Sequence, residues 1–263
     1  MRWFGSMRLK MIQVACAAAV LAGSIPDPAY TQSAQGQAGQ DTGQDQLHGP
    51  VVVELFTSQG CSSCPPADAF LAGIADRGDV IALALHVDYW DYIGWPDHFA
   101  LPAFTTRQKA YARMNGTRSV YTPQIVVDGQ QFFAGLQPMK VVNAILDARE
   151  AVDPVTLSLV RSGDDLSVGL TAVAQDAADG GDTTPSNVYM VRYIPQKTVA
   201  IERGENAGKT VIYRNIVTDW QILATWDGVT PLSLQTPVSG DQPIVVIVQA
   251  SENGPVLAAG VVD

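Results

Sequence analysis

The sequence predicts an α/β domain of order β-α-β-α-β-β-α over residues 50–152, followed by an all-β, sandwich-like domain over 153–263. Three observations carry this. Up to Ala151, apolar runs of strand length alternate with helically spaced apolar positions. After Asp153-Pro154 the helical spacing is nearly gone, and short β-branched runs recur between Gly/Asp turns. Finally, Cys61-Ser62-Ser63-Cys64 stands where the first strand gives way to the first helix.

With 263 residues, 47% hydrophobic and 16% charged, the chain is long enough for one large core or two smaller ones. Its net charge of -10, without a basic tract, speaks against nucleic acid or an anionic membrane surface as partner. The plain reading of the acidity is solubility.

Residues 1–24 read as a secretory signal. Arg2, Arg8 and Lys10 precede the apolar run from Met11 to Ala22, and the small residues Gly23 and Ser24 follow. Met7 is an alternative start. The run is too short to span a bilayer comfortably, although an uncleaved anchor is the competing reading. Cys16 sits inside the run, with Gln13 where a lipid-attachment motif prefers Leu, which counts against a lipoprotein. Residues 25–49 are rich in Gln, Gly, Ala, Ser and Asp and read as a disordered linker. No other run suits a membrane-spanning helix. The expected location is periplasmic or secreted, not membrane-integral, in a compartment where a disulfide persists. Of three cysteines, processing leaves Cys61 and Cys64, so any intramolecular disulfide joins these two.

In chain order, Val51 to Phe56 is a short apolar run suited to a strand buried on both faces, interrupted by Glu54. Pro65 and Pro66 fit the first turn of a helix, where a missing N–H is harmless. Ala67, Phe70, Leu71, Ile74 and Ala75 carry that helix, and Gly78 ends it. Ile81 to Asp88 is the second strand. A helix between the two strands makes a right-handed βαβ unit, so both strands end at one sheet edge. That edge collects Cys61 and the group Asp88 to Asp91. One cysteine is expected exposed at the helix N-terminus, the other one turn inside. A second helix runs from about Ala103 to Met114 and stops at Asn115-Gly116. Strands Gln124–Val127 and Gln131–Ala134 flank the hairpin turn Asp128-Gly129. A last helix runs from about Pro138 to Ala151, with Val141, Val142, Ile145 and Leu146 inward. Beyond it, strands are expected at 155–160, 166–173, 188–194, 211–217, 243–249 and 256–262.

The element order, a C-x-x-C after the first strand and Thr122-Pro123 just before the third together resemble the thioredoxin fold over about 100 residues. More narrowly, the stretch Val53 to Asp68, with His86-Val87-Asp88-Tyr89-Trp90-Asp91 and Tyr121-Thr122-Pro123-Gln124, is similar to a secreted bacterial family known only as domain of unknown function 1223. That family brings no established substrate. The thioredoxin resemblance implies that Cys61 attacks and Cys64 resolves. It implies that Pro123 is a cis-proline lying against the disulfide, and that Thr122 offers its backbone to a substrate peptide. Glu54 falls near the buried carboxylate that takes the resolving thiol's proton in thioredoxins. It departs from that pattern in being Glu, and in a turn to Cys61 about one residue longer. The tryptophan that precedes the first cysteine in thioredoxin is replaced by Gly60.

Each residue also has a plainer reading. A structural i, i+3 disulfide closes so small a loop that it stabilises by roughly 2 kcal/mol or less, which favours redox work for the pair. Glu54 is either a proton acceptor or simply paired with a neighbour. Asp88 and Asp91 read as turn caps. Tyr89, Trp90, Tyr92 and Trp95 form either a packed flap or a peptide-binding wall. The loop Arg203 to Lys209 is either an exposed hairpin or a cover over the redox site; it lacks the pattern of a phosphate loop.

The leading expectation is an enzyme, a periplasmic or secreted thiol–disulfide oxidoreductase with a Cys-Ser-Ser-Cys redox pair. Its catalytic residues are Cys61, Cys64, Pro123 and Glu54, and its substrate-binding residues Thr122, Tyr89 and Trp90. It needs no cofactor, and its partner is a protein thiol or disulfide. The alternative is a Cu(I)-handling protein using Cys61, Cys64 and His86, since soft thiolates select Cu(I); against it stands His86 as a hydrogen-bonded strand residue. A third reading makes the C-terminal β domain a docking surface for a partner protein.

Overall fold

Strand-length apolar runs build most of the sheet that organises the chain. The computed structural model describes residues 48–173 and 185–262; the expected signal and most of the linker lie outside them. β1 (Val51–Thr57) and β2 (Val80–His86) are buried along their whole length, as runs with no polar face must be. They pair in parallel, from Val51 opposite Val80 to Thr57 opposite His86, so both end at the same edge. Between them lies α1 (Pro65–Ile74). β3 (Gln124–Val127) pairs antiparallel with β1, and β4 (Gln131–Ala134) with β3. Asp128 and Gly129 both have positive φ, 46° and 69°, in the three-residue turn 128–130 between the paired Val127 and Gln131. α2 (Pro102–Met114) and α3 (Pro138–Glu150), like α1, start on a proline, whose fixed φ suits the first helical turn. Leu146, expected inward on α3, is exposed; Ala144 is buried on the inward face with Val141 and Ile145.

The second half contributes β5 (Val155–Ser162), β6 (Asp165–Ala172), β7 (Ser186–Ala200), β8 (Thr210–Trp226), β9 (Leu232–Pro237), β10 (Ile244–Ala250) and β11 (Val256–Val262). The protein is therefore a mixed α/β fold with one eight-stranded sheet and a second, antiparallel one. The large sheet has the order β11-β10-β7-β8-β2-β1-β3-β4, and β5-β6-β9 form the small one. Strands from both sides of Asp153 thus share a sheet. The junction is a parallel contact of β8 with β2, Ile216 opposite Ala84. Beside it, Asn215 turns to a φ of 47°, a conformation Asn tolerates. There its side-chain amide donates to the Ala82 carbonyl, 2.9 Å away.

Alternation assigns the faces. Val52, Phe56, Leu83, Leu85, Val191, Val245 and Ile247 point to one side, against Phe104 and Tyr111 of α2. On the other side Val53, Leu55, Ala82 and Ala84 pack against Leu71 of α1 and Ile145 of α3. Further along that same side, Val188, Met190, Val246 and Val248 meet Leu166, Val168 and Leu170 of the small sheet. The packed layers of the second half are thus a small sheet on one wing of the large one.

Candidate functional site

The C-terminal ends of β1 and β2 define the site. After Thr57 the chain turns through Ser58-Gln59-Gly60, and Cys61 and Cys64 are joined in a disulfide with an S–S distance of 2.10 Å. Cys64 caps α1, and the N–H groups of Ala67 and Asp68 reach its carbonyl. Cys64 is thus the cap of the helix, where a place one turn inside was expected. Cys61 differs from expectation too: both cysteines are 0% exposed.

Three segments bury them. The turn Trp90 to Ile93 lies so close that a Cβ on Gly60 would come within 3.1 Å of Trp90 and Ile93. Glycine is what that approach needs. The Thr122–Pro123 peptide bond is cis, with Pro123 buried. The Thr122 carbonyl lies 3.5 Å from the Ser63 hydroxyl, which is itself 3.4 Å from the Cys61 sulfur. Trp90 donates its indole N–H to the Thr122 hydroxyl at 2.7 Å, so the aromatic turn and the cis-proline turn are fastened together. Tyr89 bonds Gln108 of α2, and burial raises its phenol to about 12. The third segment comes from the second half. The loop joining β7 to β8 inserts Asn206, whose amide donates to the carbonyls of Gln59 and Cys61 at 2.9 and 2.8 Å. The loop Arg203 to Lys209 therefore covers this site.

Against the turn that leads into Cys61 lies a buried polar cluster. Asp97 accepts from the Gln59 backbone and side chain, from Phe99 N–H and from His86 Nδ1, all within 2.7–2.9 Å. Burial pushes its carboxyl up, but the His86 charge and these donors outweigh that and hold it below the usual range. Asp68, in the first turn of α1, accepts the Thr57 hydroxyl at 2.7 Å. Its carboxyl is raised to about 7, first by burial and then by Asp97, against lowering by His86 and Thr57. The Tyr213 ring packs edge-on 4.9 Å from the His86 ring.

Neither Asp97 nor Asp68 figured among the expected site residues. Asp97 is a lone carboxylate in an irregular stretch and carries no local signal. Asp68 had one: it lies four residues beyond Cys64, on the same helical face. Asp88 and Asp91 act in turns, accepting the Thr105 hydroxyl and the Asp97 N–H respectively.

Glu54 lies on the opposite face of β1. Arg107 donates to both its oxygens, at 2.6 and 2.8 Å, and the Tyr111 hydroxyl donates to one at 2.5 Å. Arg107 also reaches Gln249 and Asn253 and stacks 4.0 Å over Trp220. Burial opposes its charge, but Glu54 and Tyr111 outweigh that and hold it firmly protonated. This is the paired reading of Glu54: it joins β1 to α2 and, through Arg107, to the second half. Cys61 and Cys64, two members of the alternative copper set with His86, are joined to each other in the disulfide. No three His, Cys, Asp or Glu side chains form a metal-holding group among the described residues. His86 gives Nδ1 to Asp97. No helix among the described residues is long and apolar enough to cross a membrane.

The family described as "Protein of unknown function (DUF1223)" has a model that matches residues 52–249, most of the described chain. The chain belongs to that family. A search of curated proteins finds no match. Among solved structures, a protein from Agrobacterium tumefaciens is 29% identical, with a TM-score of 0.67 over 81% of this chain and 93% of that one. HBP35 of Porphyromonas gingivalis is similar in fold, at 17% identity and a TM-score of 0.56 over 82% of this chain and 75% of that one. The family match runs from β1 into β10, across both halves of the chain.

Proposed function

We propose that this domain 1223 protein is a thioredoxin-like thiol–disulfide oxidoreductase that works outside the cytoplasm. The observation that carries the reading is the joined Cys61–Cys64 pair at the start of α1, facing the cis Thr122–Pro123 turn. The βαβ unit with an antiparallel hairpin on its β1 side supports the thioredoxin-like assignment. A disulfide closing so short a loop adds little stability, which also favours chemistry over stapling. Cys61, whose sulfur lies 3.4 Å from the Ser63 hydroxyl, attacks the partner, and Cys64 resolves. The basic leader followed by an apolar run supports export.

Trapping tests this. Reduced Cys64→Ser protein mixed with a disulfide-containing protein should accumulate mixed disulfides through Cys61, while Cys61→Ser should accumulate none. Equal behaviour of the two variants would sink the assignment. Equilibration against glutathione then gives the direction of electron flow. A value near about -270 mV marks a reductant and one near about -120 mV an oxidant.

A further inference from the structure

Three buried titratable side chains come from three segments near the disulfide-bearing turn: Asp97 before α2, His86 at the end of β2 and Asp68 in α1. The Asp97 carboxylate is acceptor-only, so His86 Nδ1 carries the proton between them, 2.7 Å apart. Nε2 is then the ring nitrogen that Asp97 does not engage. It is buried and has no hydrogen-bond partner among the described residues. The same holds for Asp68 Oδ2, while Oδ1 is held by Thr57. Two orphaned polar atoms in one buried cluster are costly, about 1–3 kcal/mol each, unless they serve each other directly or through one bridging water. His86 is near enough to lower the Asp68 carboxyl against the rise that burial causes.

We infer that Asp68 takes the proton the Cys64 thiol must lose when it resolves a mixed disulfide, and that His86, held by Asp97, is the next station for that proton. This rests on the proposed redox function. Cys64 has helical backbone angles, φ -78° and ψ -37°, and Asp68 lies four residues on. Their side chains therefore stack on the same inward face of the first turn. With both sulfurs 0% exposed, bulk water is not at hand to take the proton. A carboxyl that titrates near 7 is matched to a thiol at neutral pH. The other groups facing this cluster are the Thr57 hydroxyl and Tyr213 of β8, whose phenol burial holds protonated.

The step balances as follows. In the mixed disulfide, Cys61 is bonded to a partner sulfur. Cys64 gives its proton to Asp68 Oδ2 and its sulfur bonds to Cys61. The Cys61–partner bond breaks, and the partner sulfur leaves with the electron pair as a thiolate that picks up a proton from solvent. The cysteine pair is oxidised by two electrons and the partner disulfide reduced by two. The proton then passes from Asp68 to His86 Nε2, with Asp97 balancing the charge. His86 and Asp97 are positioning residues; they act through Asp68.

Reduced protein is mixed with glutathione disulfide, and closure of the Cys61–Cys64 bond is followed by stopped-flow fluorescence from about pH 5 to 9. Asp68→Asn should slow closure near pH 7 by on the order of 100-fold, the low end of general-base effects, and recover towards high pH. His86→Gln should move the inflection of the pH profile. A second measurement needs no variant: carboxyl-carbon NMR of the wild-type protein should show Asp68 titrating at a different pH in the oxidised and reduced states. Wild-type closure rates and profile in Asp68→Asn, or one Asp68 titration in both states, would overturn the relay alone. A wild-type protein that forms no mixed disulfide with glutathione would overturn both the relay and the redox reading.

Discussion

Asn206 donates its side-chain amide to the carbonyl of Cys61, 2.8 Å away and 145 positions earlier in the chain. The second half of the protein thereby holds the backbone of the first cysteine. Asn206 is almost fully buried, at 1% exposure, so this contact is shielded from water. Asn206→Ala should leave the Cys61 and Gln59 carbonyls without that donor, at a cost of about 1–3 kcal/mol, read by urea denaturation. The same variant should let dithiothreitol reduce the disulfide several-fold faster, because the cover over Cys61 is loosened. An unchanged reduction rate would mean that access to the sulfur comes from another side.

Arg107 and Glu54 make the second test. Arg107→Met leaves the Glu54 carboxylate buried without its ion-pair partner and should destabilise by about 3–5 kcal/mol. Glu54→Gln together with Arg107→Met should recover part of that loss, since a buried pair is often replaceable by uncharged groups. In neither variant should the pH profile of disulfide closure move. A shifted profile in Glu54→Gln would return the proton-acceptor role to Glu54.

Stability against pH provides the third. Folding raises Asp68 from 3.8 to about 7, so the folded chain holds its proton more tightly than the unfolded one. That contribution is fully present below about pH 4 and is lost as pH rises through about 7, with an upper size of about 4 kcal/mol. Asp128, raised to about 7 chiefly by burial, acts in the same direction. Thermal melts should therefore show Asp68→Asn gaining on the wild-type protein between about pH 4 and 7, with little difference at the lower end. A constant gap across that range would show that Asp68 is not titrating there.

Local signals made the first half readable. β1, the prolines of α1 and the Asp128-Gly129 turn each follow from a few adjacent residues. The Cys61–Cys64 pairing followed from counting cysteines. What escaped depends on distant partners. β9 is hard to place from the sequence because Leu232–Pro237 is short and its aliphatic side chains are just Leu232 and Leu234; its pairing with β6 marks it as a strand. β7 and β8 run to 15 and 17 residues, well past their apolar stretches, because each pairs with the other through polar positions such as Gln196 and Arg214. The sheet shared by both halves, and the burial of Cys61 by Asn206, rest on contacts that no window of sequence contains.

The junction of β8 with β2 carries a consequence for solubility. A chain ending near Asp153 would uncover the side of β2, Val-Ile-Ala-Leu-Ala-Leu-His, which is buried throughout when the second half is present. An open, flat, apolar edge strand recruits other chains and aggregates. The second half is thus a built-in guard for β2, and a truncated first half should be recovered in inclusion bodies unless a charged residue is placed on that edge.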